Sequence, residues 1–315
     1  MIASRRSKAQ VLTVLTAFIC LTMSAQRSMA VTGQKSFLTP QLAITALVTA
    51  VQNEDEAELV KIFGPGSDEL IASGDKIADH NGRTRFLKAY EQKHNLEAIN
   101  ENRMILVIGD KDYPLPIPIV RRNDAWFFDT PAGKEEILNR RIGRNELRTI
   151  ELMQAYTEAQ REYAGMIREG GTPVFAQKLA SSEGKKDGLY WDVTAGEKES
   201  PLGPLVAKAA AKGYKEGLQS SSPDPFYGYY FKILKAQGQH ADGGAFDYVR
   251  DGKMILGFAL VAYPAKYGAS GIMTFIVNQE GQIYEKDLGE QTSVVAEAMT
   301  SFDPDSTWRK YEDTQ

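Results

Sequence analysis

The chain has 315 residues, a formal net charge of −4, a mean hydropathy of −0.34 and 43% hydrophobic residues. Residues 1–30 carry four basic and no acidic side chains, so the other 285 residues hold 33 Lys+Arg against 41 Asp+Glu, a formal charge of −8. This balance disfavours nucleic acid and anionic lipid surfaces as partners, and the length suits one large domain or, more typically, two.

The first predicted element is a secretory signal peptide over residues 1–30. A basic start precedes the apolar run Val11–Met23, and Ser28-Met29-Ala30 is a small-x-small cleavage site. A run of thirteen residues is short for a spanning helix, which needs ~20, so a retained membrane anchor is the less favoured alternative. We expect a mature chain, Val31–Gln315, in the bacterial periplasm or secreted, with no stable membrane span after cleavage. The single cysteine, Cys20, leaves with the signal, which excludes disulfides and thiolate sites.

Residues 31–132 are predicted to form an N-terminal α+β unit. Apolar residues at helical spacing predict two short helices within residues 39–63, with Thr39 as N-cap and Pro40 at the first helical position. A further helix over residues 83–93 precedes β-type segments at 104–108, 115–120 and 125–129. Helices followed by a small curved antiparallel sheet resemble the nuclear-transport-factor-like fold.

Residues 133–315 are predicted to form a C-terminal unit, a long helix packed on a four-stranded antiparallel meander. The helix is expected over residues 134–168, with a bend or break at Gly143. A second helix over 204–212 precedes strands at 227–236, 254–263, 271–278 and 282–286, and the last two are joined by the hairpin turn Asn278–Gly281. A closing helix is expected near residues 293–299. The fold class is therefore α+β.

Several sequence blocks resemble an uncharacterised family of exported bacterial proteins, domain of unknown function 2950. They are spread over nearly the whole mature chain: residues 140–147, 187–191, 200–205, 228–231, 263–268 and 286–289. The resemblance implies membership of a family but no activity. More loosely, the final third is similar to the globular part of type IV pilins and pseudopilins, without the hydrophobic assembly helix that those proteins carry.

One polar cluster is a candidate binding surface. Arg141, Arg144 and Arg148 share a helix face at i, i+3 and i+7, so their guanidinium groups can converge on a carboxylate or phosphate of a ligand or partner. The alternative, for these arginines and for Arg140 beside them, is intramolecular pairing with acidic residues at similar spacings: Glu135, Glu136, Glu146 and Glu151.

An aromatic block is the second candidate. Tyr190 and Trp191, together with Tyr227 and Tyr229, can line a groove for a glycan or peptide, since such rings combine an apolar face with a polar edge. The alternative is packing between the two units.

No stretch of the sequence assembles a catalytic constellation or a metal site. The three histidines are scattered, and no pair has the i, i+4 spacing of metal ligands on a helix. We therefore expect that the protein has no cofactor and no metal. We expect it to be a binding or assembly module of the cell envelope, with an envelope protein, a peptide or a glycan as its partner. The alternative is an envelope hydrolase whose site is assembled from residues distant in sequence.

Overall fold

The computed structural model describes residues 33–169, 171–193, 196–214 and 224–312. The predicted signal peptide lies outside these ranges. The described residues belong to one unit, Val31–Gln315, and they have the mixed helix and antiparallel sheet composition expected of the α+β class. None of the helices in these ranges combines the length and apolar character needed to cross a membrane.

Four helices open the described chain, and side-chain caps set where three of them begin. The Thr39 hydroxyl accepts the N–H of Leu42 at 3.2 Å, and the Asp55 carboxylate accepts that of Glu58 at 2.9 Å. The two helices predicted within residues 39–63 are confirmed. The helices are α1 (Pro40–Gln52), α2 (Glu56–Phe63), α3 (Asp68–Ile71) and α4 (Lys76–Gln92).

A five-stranded antiparallel sheet follows. Its strands are β1 (His94–Asn100), β2 (Arg103–Ile108), β3 (Tyr113–Pro114), β4 (Ile119–Arg122) and β5 (Ala125–Phe128), in the order β1-β2-β4-β5 with β3 also paired to β2. The predicted strand at 115–120 is wrong as one element. Prolines at 116 and 118 remove N–H donors from the ladder, so pairing ends after the Leu115 N–H bonds the carbonyl of Leu106 at 2.8 Å, and it resumes at Ile119.

Helix α5 (Thr130–Met166) is the long helix, and it runs unbroken for 37 residues. The break at Gly143, one of the two expectations, is therefore wrong, and the bend stays a prediction. Buried Leu138 and Ile142 before Gly143, and Ile150 and Met153 after it, anchor the helix on both sides of the glycine. Burial of an apolar face outweighs the intrinsic cost of one glycine, which is ~1 kcal/mol.

The remaining elements are mostly short strands. They are β6 (Arg168–Glu169), β7 (Thr172–Pro173), helix α6 (Gly203–Ala210), β8 (Tyr229–Leu234), β9 (Ala236–Gln237), β10 (Phe246–Asp247), β11 (Val249–Arg250), β12 (Lys253–Met254), β13 (Ala259–Pro264), β14 (Met273–Asn278), β15 (Ile283–Asp287), helix α7 (Thr292–Ala298), β16 (Ser301–Phe302) and β17 (Arg309–Lys310).

The predicted C-terminal antiparallel meander is present. The order β17-β15-β14-β13-β8 contains the four expected strands and adds β17 at one edge. The predicted hairpin between β14 and β15 is confirmed, with Asn278 Oδ1 accepting the N–H of Glu280 at 3.1 Å and Gly281 at φ +84°.

Two clusters of buried hydrophobic side chains hold these elements together. The first core lies between α1, α2, α3 and the first sheet, with Phe128 and Ile119 at its centre. The second core packs α5 on the meander through Met153, Tyr156 and the strand residues Val261 and Val277. The predicted unit boundary after residue 132 stays a prediction.

Candidate functional site

A cavity of about 830 Å³ opens beside the first core. Buried aliphatic side chains of α1, α2, α3 and β2 line it: Leu47, Val51, Leu59, Leu70, Ile71 and Ile108. Half-buried Phe63, Phe86 and Ile137 extend the apolar lining. The volume falls within the range of small-molecule sites, roughly 300–1,000 Å³.

Helix α4 forms one wall of this cavity, and a buried carboxylate sets its start. Asp75, 1% exposed, accepts the N–H of Ala78 at 2.8 Å as N-cap of the helix. No residue of α4 is fully buried; Phe86, Leu87, Ala89 and Tyr90 are half-buried against the first core. The helix therefore covers the cavity with half-buried side chains.

The wall built by α4 is held in place from the other half of the chain. Asp75 Oδ2 accepts both the hydroxyl of Tyr214 and the backbone N–H of Gly228, each at 2.8 Å. Asn81 Nδ2 donates to the carbonyl of Lys212 at 2.8 Å. Burial raises the pKa of the Asp75 carboxyl, against the lowering effect of these donors. The cavity wall thereby gains four residues from this half of the chain: Ala211, Lys212, Tyr214 and Tyr227.

Four cationic side chains meet where the cavity lining is exposed to solvent. Arg85 comes from α4, Arg144 and Arg148 come from α5, and Lys212 follows α6; we call these four residues the cationic cluster. Within the described ranges none of them has a carboxylate at ion-pair distance. Burial lowers the pKa of Arg144, and the like charges of Arg85, Arg148 and Arg140 lower it further. The cluster is thus a concentration of positive charge without a counter-ion in this part of the protein.

Two other arginines in the lining already have structural partners. Arg141 donates to the carbonyls of Glu69 and Leu70 at 2.7 and 2.6 Å, where it satisfies acceptors at the end of α3. Burial lowers its pKa. Arg83 forms an ion pair with Glu56 at 2.6 Å. These two side chains build the wall of the cavity rather than the cationic cluster.

Tyr227 stands within the cationic cluster in a strained backbone conformation. Its φ of +52° lies in the left-handed region, which bulky residues rarely adopt. Its ring centroid lies 5.1 Å from the guanidinium carbon of Arg148 and 4.9 Å from Lys212 Nζ. One aromatic ring therefore contacts two cations of the cluster, an arrangement that offsets part of their mutual repulsion.

The structure brings together four of the seven residues proposed from the sequence. Arg141, Arg144, Arg148 and Tyr227 all line the cavity. The alternative, intramolecular pairing with nearby acids, holds for Arg140, which forms an ion pair with Glu136. Glu146 does not pair with an arginine in this way, because its Oε1 accepts the N–H groups of Ile272 and Met273.

The other three proposed residues lie outside this lining. Trp191 and Tyr229 are buried in the second core, where Trp191 packs edge-on against Tyr163 at 6.4 Å. The Tyr229 hydroxyl donates to the carbonyl of Met273 at 3.0 Å. Tyr190 is half-buried and donates to Asp192 at 2.6 Å. The structure does not assemble these rings with Tyr227 into one groove.

Sequence reasoning missed Arg85, Lys212 and Asp75. Asp75 could have been found, because an acidic residue directly before a helical segment is an N-cap signal. Arg85 and Lys212 carry no such local signal, since their proximity to Arg144 arises only when α4 and the residues after α6 pack beside α5.

Among the described residues no group of three or more His, Asp or Glu side chains is placed to hold a metal ion. The three histidines each have a different partner: His80 bonds Glu54, His94 bonds the carbonyl of Tyr90, and His240 bonds Asp303.

Comparison with known proteins gives one match. The family model described as "Protein of unknown function (DUF2950)" matches residues 34–311. No curated protein and no solved structure matches the chain. The resemblances of the N-terminal unit to the nuclear-transport-factor-like fold and of the final third to pilins therefore stay predictions.

Proposed function

Since the chain belongs to the DUF2950 family, whose description names no activity, its function is inferred from its site, and we propose that it is a binding module that holds a small ligand in the cavity beside α4. The observation that carries this proposal is a largely apolar cavity of about 830 Å³ whose exposed side holds cations that have no carboxylate partner among the described residues. Convergent polar groups around an apolar pocket are typical of ligand sites.

The compartment we propose is the bacterial cell envelope. The support is the predicted signal peptide over residues 1–30, with its basic start, its apolar run and the site before Val31. The protein recovered from an envelope or periplasmic fraction should have the mass of Val31–Gln315. An intact Met1 on protein from the cytosol would contradict this part of the proposal.

The lining of the cavity favours binding over the alternative of an envelope hydrolase. A hydrolytic site needs two carboxylates or a Ser/His pair within hydrogen-bonding reach. In the described lining the acidic side chain is Asp79, and it accepts the N–H of Ser73 at 2.9 Å.

Native mass spectrometry tests the binding function. The protein purified from envelope extract without denaturation should carry an added mass that is lost on denaturation. Ile137→Trp replaces an aliphatic side chain of the cavity lining with a bulky indole ring and should abolish the added mass. Leu147→Trp, on the same helix but 58% exposed and outside the lining, is the matched control and should retain it. Equal occupancy in the two folded variants would place the ligand elsewhere.

A further inference from the structure

Resting on the proposed binding function, we propose that the ligand is an amphipathic anion, with one apolar chain in the cavity and one acidic head group at the cationic cluster.

The lining selects the apolar part of this ligand. Six buried aliphatic side chains line the cavity, and the aromatic rings of Phe63 and Phe86 add to them. A glycan or an extended peptide placed there would bury hydroxyl or amide groups against hydrocarbon, at a cost of several kcal/mol for each group left without a partner. An alkyl chain loses no hydrogen bond on transfer to such a surface, and its removal from water is favourable in free energy.

The cationic cluster selects the head group. The charges of Arg85 and Arg148 both act on Arg144, and Lys212 contacts the same Tyr227 ring as Arg148. None of the four has a carboxylate partner in the described residues. A carboxylate or phosphate supplies the missing negative charge and accepts charge-assisted hydrogen bonds, which are stronger than neutral ones. The repulsion that these cations exert on one another in the free protein would be relieved in the complex.

The arrangement of the two surfaces fixes the orientation of the ligand. Arg85 and Arg144 are exposed, whereas Leu47, Leu59 and Ile71 are buried. The acidic end is therefore expected on the solvent side and the apolar chain on the inner side. The ring of Tyr227, in contact with both Arg148 and Lys212, sets the positions of these two cations.

Calorimetric titration of the folded protein with four probes tests the proposal. Laurate has both parts of the ligand, dodecan-1-ol has the same chain without charge, dodecyltrimethylammonium has the opposite charge, and acetate has the head without the chain. Laurate, kept below its micelle concentration, should bind at least tenfold more tightly than dodecan-1-ol. Dodecyltrimethylammonium should bind more weakly than the alcohol, and acetate should give no saturable binding. Monododecyl phosphate in place of laurate decides whether the head group is a phosphate or a carboxylate.

Two double variants locate the head group. Arg144→Gln with Arg148→Gln should weaken laurate at least tenfold, equivalent to about 1.4 kcal/mol, and change dodecan-1-ol less than twofold. Arg121→Gln with Arg250→Gln removes the same charge from exposed positions outside the lining and should leave both affinities unchanged. Equal binding of laurate and dodecan-1-ol, unaffected by the arginine variants, would overturn the acidic head group while the cavity remained a binding site.

Absence of saturable laurate and dodecyl phosphate binding would overturn the ligand class. The native mass measurement then separates the two proposals. A bound mass that Ile137→Trp removes would leave the binding function standing, and no bound mass would remove the binding function as well.

Discussion

The hydroxyl of Tyr214 donates to the carboxylate of Asp75 across 2.8 Å, and this bond joins positions 139 residues apart in the chain. Asp75 is also the N-cap of α4. The same carboxylate therefore caps the helix and bonds it to the two segments that contain Lys212 and Tyr227. One buried side chain thus sets the geometry of the cavity wall.

Removal of this carboxylate should destabilise the protein more than removal of an ordinary helix cap. Asp75→Ala loses the cap bond and leaves Tyr214 and Gly228 without their acceptor, so we expect a loss of about 3–5 kcal/mol in the free energy of unfolding. Asp55→Ala removes the exposed cap of α2 and should cost about 1 kcal/mol. Urea denaturation of both variants measures the difference, and equal losses would contradict the role of Asp75.

The pH dependence of stability should carry the sign of the Asp75 pKa shift. Burial raises the pKa of Asp75 above its ordinary value of 3.8, so the folded protein binds this proton more tightly than the unfolded chain. The free-energy advantage of the wild type over Asp75→Asn should therefore fall as pH rises from 3.8 through the folded pKa, and then level off.

Asp187 supplies the control of opposite sign. Its hydrogen bond with Lys178 lowers its pKa to about 2, so the unfolded chain binds this proton more tightly. The advantage of the wild type over Asp187→Asn should be complete above pH 3.8 and be lost as pH falls through about 2. Unfolding titrations over this pH range measure both differences. If the free-energy advantage of the wild type changed with pH in the same direction for Asp75→Asn and Asp187→Asn, the raised pKa of Asp75 would be refuted.

Gly228→Ala should be more harmful than the same substitution at another glycine with positive φ. Gly228 has φ +79°, and a Cβ there would lie 2.6 Å from Asn145 Nδ2, which donates to the carbonyl of Ser270. Gly244 has φ +75° with no atom within 4 Å of a Cβ, so Gly244→Ala reports the backbone cost alone, about 1–2 kcal/mol. Thermal unfolding should show a clearly larger loss of stability for Gly228→Ala than for Gly244→Ala. Equal losses of stability would mean that the Asn145 side chain moves away freely.

Arg141 and Arg144 should separate in their effects on stability, although both line the cavity. Arg141→Gln leaves the carbonyls of Glu69 and Leu70 without their donors and should cost about 1–3 kcal/mol. Arg144→Gln removes a charge that other cations repel, together with one exposed hydrogen bond to the carbonyl of Arg140 at 3.1 Å, so its effect should lie within about 0.5 kcal/mol of zero. Denaturant titration measures both, and a large loss for Arg144→Gln would show that its role is structural.

Helices α1, α2 and α5 and the four expected strands of the meander were predictable from the sequence because their buried faces repeat with helical or strand periodicity. Helix α3 was missed, and α4 was predicted only from residue 83, because no residue of α4 is fully buried. In α5 the residues Leu138, Ile142, Ile150 and Met153 mark the buried face directly. Strand β1 was missed since its burial pattern is almost entirely exposed, with Leu96 half-buried. Its place in the sheet comes from backbone pairing with β2, which leaves little pattern in the side chains.

The cavity was predictable only in part. Arg141, Arg144 and Arg148 share one helix face, so their helical spacing indicated the cluster. The spacing did not show that Arg141 donates to a carbonyl of α3, or that Arg85 and Lys212 belong to the cationic cluster. Those contacts arise only from tertiary packing.

The most direct test of the central claim is a crystal structure of the protein with 11-bromoundecanoate, with the bromine located by its anomalous signal. We predict the bromine among the buried aliphatic side chains beside Leu47 and Leu59, and the carboxylate within hydrogen-bond distance of Arg144 or Arg148. A bromine peak outside this cavity, or a carboxylate directed away from both arginines, would contradict the account.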